Sequence, residues 1–347
     1  MIFTSEQVSD GHPDKICDQI SDAVLTECLR QDKHSRVAIE ALIKDYNVVL
    51  AGELKTKAKI DSKKIVYSVL DSIGLIDVTL YKVTNFISER SPDIAQGVDT
   101  GGAGDQGMMF GYATNETPEM LPYPFILATK ALKRLTELKH PQLRPDAKSQ
   151  VSFNYDTGQI DTFLISTQHD EGISHKELEK VIHGVMIDTA TGYGLKKDFK
   201  KLVNPTGKFV IGSSFADSGL TGRKIIADTY GGIARHGGGA FSGKDPSKVD
   251  RSGAYIARKI AKDIVRNKWA DKCEIQISYA IGVPEPTSVM IEAFGSEHVD
   301  VEFIKDYIHI YDLTPKGIID QLGLLNVDYN LTSAYGHFGK NELPWER

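Results

Sequence analysis

The stretch VVLAGELKTKAKIDSKKIVYSVL, residues 48–70, reads as a short apolar strand, a polar connection and a helix. The same order returns in DTFLISTQHDEGISHKELEKVI (161–182) and SVMIEAFGSEHVDVEFIKDYI (288–308). The spacing predicts helices capped by Asp61, Ser174 and Asp300, whose side-chain oxygens accept from the free N–H groups of a helix start. Apolar residues then recur at helical spacing: Ile65, Val69 and Ile73; Leu178, Ile182 and Val185; Ile304, Tyr307, Ile308 and Tyr311.

The repeat extends backwards. RVAIEALI (36–43), QVSFNYD (150–156) and EIQISYAIGV (274–283) read as strands, joined to the first set by the turns KDYN, DTGQ and PEPT. Before each hairpin runs a helical pattern: DKICDQISDAVLTECL, PFILATKALKRLTEL and RSGAYIARKIAKDIV. The expectation is an α+β fold of three similar helix–hairpin–helix domains with helices on one sheet face. Boundaries near 1–97, 98–230 and 231–347 follow, with elements free to interleave. Alternation is weak in VAIEALI, where Ala38, Glu40 and Leu42 form the second face. Both faces are expected to be buried, by another sheet or by a partner chain, which points to a homo-oligomer.

Composition narrows the classes. With 347 residues, 41% hydrophobic and 25% charged, the chain supports a substantial core. The formal net charge of -6 disfavours a nucleic-acid partner. Cys17, Cys28 and Cys273 match no metal or redox spacing and read as reduced core thiols. The N-terminus lacks the basic-then-apolar pattern of a signal peptide, and no apolar run approaches the roughly 20 residues of a membrane span. A cytoplasmic protein without membrane contact is expected.

Two glycine motifs look like familiar phosphate sites and fail on context. Gly102-x-Gly104-x-x-Gly107 matches the dinucleotide fingerprint, but no buried strand precedes it and no βαβ unit follows. GGGAFSGKD (237–245) approaches a P-loop, but Asp245 stands where a Ser or Thr would hold Mg²⁺. The charge nevertheless points to an anion. Arg223, Lys224, Arg235, Lys244, Lys248 and Arg251 face only Asp228, Asp245 and Asp250 within residues 220–252. Glycine-rich backbone there can approach a large ligand closely. GHPDK (11–15) and KDPSKVD (244–250) each put an Asp, Asp14 or Asp250, near a helix start. Each is an ordinary N-cap taken alone; in matching repeat positions they could serve one Mg²⁺ site, since Mg²⁺ takes one or two carboxylates plus phosphates. On composition, RPDAKSQ (144–150), with Asp146 and Lys148, reads as a polar turn.

Together GHPDK, GAGDQGMMFGYATNE, RPDAKSQV, GLTGRKI, DTYGG and HGGGAFSGKDPSKVDRS resemble S-adenosylmethionine synthetase, and the resemblance runs from TSEQVSDGHPDK to AYGHFG. It implies three similar domains around a pseudo-threefold axis, in homodimers or homotetramers with active sites between subunits. It also implies a reaction of ATP, L-methionine and water to S-adenosylmethionine, phosphate and diphosphate. By matching motif, His12 faces the leaving O5′. Lys148, Arg223 and Lys244 clamp the polyphosphate. Asp146, Lys208, Phe209, Asp217, Lys224 and Ala240 make further ATP contacts. Glu53, Gln96, Asp105, Asp217 and Lys248 surround methionine. Asp14 and Asp250 hold two Mg²⁺ per site, and Glu40 one K⁺. The loop after Gln96 is shorter than the mobile lid of many bacterial relatives, which puts lid behaviour in doubt. The rival readings are a phosphotransferase, which would release ADP, and a binding subunit without catalysis.

Overall fold

Helix, hairpin and helix recur three times along the chain. The computed structural model describes residues 1–88 and 101–347. An opening strand, β1 (Ile2–Val8), leads into the first unit, α1 (Pro13–Gln31), β2 (Arg36–Lys44), β3 (Asn47–Lys55) and α2 (Ser62–Ile73). Strands β4 (Lys82–Ser88) and β5 (Gly107–Thr114) precede the second unit, α3 (Tyr123–Glu137), β6 (Leu143–Asn154), β7 (Gln159–His169) and α4 (His175–Gly192). Short elements follow: β8 (Lys200–Val203), α5 (Ser213–Ala216), β9 (Gly219–Leu220) and α6 (Ile225–Asp228). The third unit is α7 (Val249–Arg266), β10 (Lys272–Tyr279), β11 (Ser288–Glu292) and α8 (Val301–Ile308), and α9 (Pro315–Leu322) comes after it.

Each hairpin anchors its own sheet, in the orders β4-β3-β2-β9, β1-β6-β7-β8 and β11-β10-β5. The first strand of every hairpin pairs antiparallel with a strand from elsewhere in the chain: β9 on β2, β1 on β6, β5 on β10. In the first two sheets a parallel strand, β4 or β8, joins the hairpin's second strand. Helices α2 and α4 supply the crossovers that parallel pairing requires. These exchanged strands bring distant motifs together. β1 on β6 sets Val8 opposite Lys148, and Ser9 N–H donates to Ala147 O at 2.9 Å. GHPDK thereby lies beside RPDAK.

The caps read from sequence are formed. Asp61 accepts from Lys64 N–H and Asp300 from Glu302 N–H. Ser174 and Glu177 make a reciprocal capping box. Ser174→Ala is expected to lower unfolding stability by about 1 kcal/mol, with no change of fold, as a shift in the urea midpoint at constant slope.

Two sequence expectations need correction. The buried stripe of α2 is Val66, Leu70 and Ile73; Ile65 and Val69 sit at its edge. RPDAKSQ is no turn but part of β6, with a register shift between Leu143 and Ala147. A strand this polar holds because β1 and β7 flank it and satisfy its backbone. The second face of β2, expected to be covered by another sheet or by a partner chain, is open in the single chain. Glu40 and Leu42 are exposed and Ala38 is half-buried, whereas Val37, Ile39, Ala41 and Ile43 are buried against the helices.

The largest apolar cluster surrounds α7, which is buried on nearly every side. Its cations survive there because each is paired. Arg251 donates two bonds to Asp22 of α1, at 2.7 and 2.9 Å. Arg258 is held by Glu346 near the C-terminus. Such pairs fix α1, α7 and the C-terminal segment in one arrangement, because a buried charge without its partner is costly. Cys17, Cys28 and Cys273 are buried free thiols, and burial pushes Cys28 and Cys273 up to about 12. Among the described residues no helix is long and apolar enough to cross a membrane.

Candidate active site

The start of α1 is one centre of the site. His12 is its N-cap, and His12 Nδ1 accepts from Asp14 N–H at 3.2 Å. That bond leaves the proton on Nε2, so the ring presents an N–H donor. Burial, then the charges of Lys224 and Lys148, push the imidazole down to about 3, against the opposing pull of Asp14 and Asp217. His12 is therefore neutral across the ordinary pH range.

Asp14 follows, almost wholly buried. Its Oδ1 accepts from Leu220 N–H at 2.9 Å, and its Oδ2 from Lys224 Nζ at 2.5 Å. Arg223 Nε lies 3.8 Å from the same carboxylate. Burial works against the charge, but the Lys224 ammonium and the Leu220 N–H outweigh it and hold Asp14 below its usual value. Asp146 on β6 accepts on Oδ2 from Ser213 N–H at 2.7 Å. Burial raises its carboxyl to about 6, although the Ser213 bond and Lys148 oppose this. Asp146 Oδ1 and Ser213 Oγ are both buried without a hydrogen-bond partner among the described residues. Phe209 is pinned at the end of β7: its carbonyl accepts from His169 N–H at 2.9 Å and its N–H donates to His169 Nε2 at 3.2 Å. Lys208 is exposed, 3.4 Å from Glu171. Asp217 is exposed and accepts from Ser218 N–H.

The second centre is the loop that resembled a P-loop. Its backbone runs antiparallel to the edge of β2: Ile39 N–H donates to Gly243 O at 3.1 Å and Asp245 N–H to Val37 O at 3.0 Å. Only glycine fits at 243, where φ is +79° and a Cβ would sit 1.9 Å from Ile39 O. Asp245 has a structural task. Its carboxylate accepts from Val37 N–H at 2.7 Å, from Ser247 N–H at 3.0 Å and from the Lys248 ammonium. Burial opposes that charge, yet Lys248 and these donors hold it below its usual value. The residue that breaks the P-loop pattern thus fastens the loop to β2. Lys244 then projects to Asp250, in the first turn of α7, at 2.5 Å. Lys244, Lys248 and Asp250 line a cavity of ≈ 170 Å³ with Glu53 of β3, Asp105 and Ala38. Ala240 packs against Gly222, which links this loop to the first centre.

The two centres hold the sequence-selected residues in two groups. His12, Asp14, Asp146, Lys148, Asp217 and Lys224 interact around the start of α1. Glu53, Asp105, Lys244, Lys248 and Asp250 gather at the second cavity. Glu40 stands on the open face of β2. Gln96, and the loop after it, lie outside the described residues. Among the described residues no three His, Cys, Asp or Glu side chains are close enough to hold a metal ion, so Asp14 and Asp250 do not meet in one such group. Sequence reading gave no role to Lys15, Asp18 or Glu274 and counted Asp228 only as a counter-charge; all four are buried. A signal existed for two of them: Lys15, Asp18 and Asp22 recur at helical spacing within α1, on its interior side.

This architecture defines a class: an α+β protein of three like domains with two centres of paired cations and carboxylates at their junctions. Family models described as S-adenosylmethionine synthetase N-terminal, central and C-terminal domain match residues 1–92, 100–209 and 211–347. The chain belongs to the S-adenosylmethionine synthetase family, whose domains mark it as a methionine adenosyltransferase. The family uses Mg²⁺ and K⁺.

Proposed function

We propose that this enzyme joins ATP and L-methionine by attack of the methionine sulfur on C5′ of the ribose. The whole triphosphate leaves and is then hydrolysed to phosphate and diphosphate with one water. The observation that carries this reading is the match of all three family domains, in order, along the chain. The site chemistry supports it. A thioether has no proton to lose, so the first step needs alignment of sulfur and carbon and a place for charge on the departing oxygens. A neutral His12 N–H suits the bridging O5′. Lys148, Arg223 and Lys244 suit the polyphosphate, with Lys208, Lys224, Ala240 and Asp217 as further ATP contacts. The unpartnered Asp146 Oδ1 suits a nucleoside hydroxyl, and the Phe209 ring suits adenine. Glu53 and Asp105 suit the methionine ammonium; Gln96 and Lys248 suit its carboxylate.

The donor sets fit the family's metals. Asp14 and Asp250 are hard carboxylates already holding cationic groups, as Mg²⁺ ligands shared with substrate phosphates require. Two Mg²⁺ and, at Glu40, one K⁺ per site are proposed. Bound Mg²⁺ supplies neutralisation of the charge gathering on polyphosphate oxygens. When phosphate arrives, Lys224 and Lys244 are free to exchange their carboxylates for it.

The site is completed by a second copy in a homodimer or homotetramer. Leu42 on β2 and Phe86 on β4 are exposed on one sheet, which leaves an apolar face for a partner chain. A cytoplasmic location accompanies the reading. The test is a product assay by mass spectrometry with ATP, L-methionine, Mg²⁺ and K⁺. S-adenosylmethionine, diphosphate and phosphate in equal amounts, without ADP, are expected. ADP as product would replace this reading with phosphoryl transfer.

A further inference from the structure

The geometry points to a buried ion cluster, Lys15–Asp18–Asp228, as the device that positions Arg223 and Lys224 over the start of α1. The inference rests on the functional reading above, in which those two cations grip polyphosphate.

Segment 219–228 has little fold of its own. β9 is two residues long and α6 four. It is ordered by a ladder of contacts with the first two turns of α1. Gly219 lies so close that a Cβ would fall 2.1 Å from Pro13 O. Leu220 N–H donates to Asp14 Oδ1 at 2.9 Å. Thr221 Oγ1 meets Cys17 O at 3.2 Å and Ser21 Oγ at 2.8 Å. Gly222 N–H donates to Asp18 Oδ1 at 2.8 Å. Arg223 and Lys224 come next. Asp228 then closes the segment on the Lys15 ammonium, which also donates to Asp18 Oδ2 at 2.9 Å. Both ends of the stretch carrying the two cations are therefore fixed by one cluster.

Lys15 and Asp18 are fully buried, and Asp228 nearly so. His337 N–H donates to Asp228 O at 2.9 Å, so the C-terminal segment braces the far side. Lys15 sits one residue after Asp14 and three after His12. One rigid body thus carries the neutral donor, a proposed metal ligand and the anchor of two polyphosphate cations. Positioning acts at the transition state, where misplacement of a group by an ångström can cost about 100-fold.

The experiment compares Asp18→Ala and Asp18→Asn with the unaltered full-length enzyme, below the melting temperature of each. Asn keeps an oxygen for Gly222 N–H, and Asp228 keeps Lys15 paired; Ala keeps neither half of the Asp18 bridge. Expected for Asp18→Ala is a fall in kcat of about 10- to 100-fold with less than about a twofold change in the KM for methionine, and recovery of most of it in Asp18→Asn. Unchanged kcat in folded Asp18→Ala, or no advantage of Asn over Ala, would overturn the assignment. If Asp18→Ala does not fold, Asp228→Asn takes its place with the same expected split and the same overturning result. Calorimetric titration with tripolyphosphate and Mg²⁺ separates the two claims. If the unaltered protein makes no S-adenosylmethionine, the functional reading fails, while binding weakened about tenfold by the substitution still supports the positioning role and unweakened binding removes it.

Discussion

His12→Ala is expected to lower kcat by about 10²- to 10³-fold while ATP and methionine still bind. The size is that of losing one preorganised donor to an oxygen that gains charge only as the carbon–oxygen bond breaks. The His12 ring is fixed by the Asp14 N–H on Nδ1, and its proton waits on Nε2. No reorientation is needed when charge appears. The pH dependence tests the protonation state separately. With the imidazole pushed down to about 3, largely by burial, its donor form persists throughout neutral and mildly acid conditions. The kcat profile of the unaltered enzyme should carry no limb near pH 6.5 that vanishes in His12→Asn. A limb of that kind would mean an imidazolium, and the neutral-donor assignment would fall. Stability gives the complementary sign. An unfolded chain takes up a proton at His12 as pH falls through about 6.5, and the folded chain refuses it until about pH 3. Stability is therefore lost as pH falls through that window, by at most about 1.4 kcal/mol per pH unit for the group. Buried His337, lowered in the same direction by burial and by Arg251, adds to the slope. Urea midpoints measured from pH 7 to pH 4 should fall less steeply in His12→Asn.

Lys244→Met is the second large effect. A loss in kcat of about 10²- to 10³-fold is expected, with the KM for ATP changed at least tenfold less. The argument is one of placement. The loop that bears Lys244 is sewn to β2 by the backbone bonds of residues 243 and 245 and by the Asp245 carboxylate. Its ammonium is therefore delivered on a rigid support, 2.5 Å from Asp250. A group so held contributes most where charge changes most, on the leaving polyphosphate, and least to ground-state binding. Met keeps most of the apolar stem without the charge, and the Asp245 contacts do not involve the Lys244 side chain, so Asp245 still fastens the loop. Steady-state kinetics with ATP varied at saturating methionine decides the matter. Equal losses in kcat and in ATP affinity would show that Lys244 binds substrate and transition state alike.

The resemblance to the family was legible because its motifs are long and their residues chemically costly to keep by chance. The three caps were legible for a local reason: an N-cap needs only its own side chain and the next three N–H groups. Asp61, Ser174 and Asp300 satisfied that rule before any tertiary contact was considered. The helix stripe of α2 was misplaced by a residue because periodicity locates a face only to within neighbouring positions, and packing against α1 and β4 chose Val66 and Leu70. RPDAKSQ was misread because polar residues in a strand look like a turn until flanking strands are known to satisfy the backbone.

What the sequence determined by itself is therefore the local order of elements, the three repeats, the failure of both glycine motifs as dinucleotide site and P-loop, and the inventory of chemical groups. Only the tertiary structure decided which groups meet. The insertion of β1 and β9 into sheets built on distant hairpins puts GHPDK beside RPDAK and GLTGRK, pairings separated by more than a hundred residues in sequence. It also decided the role of Asp245, which sequence could only mark as a broken pattern, and of Lys15, Asp18 and Asp228, whose partners lie some two hundred residues apart. The physical reason is the same in each case. A cap or a helical stripe is settled within a few residues, whereas a buried charge is stable only beside a partner that folding brings from afar.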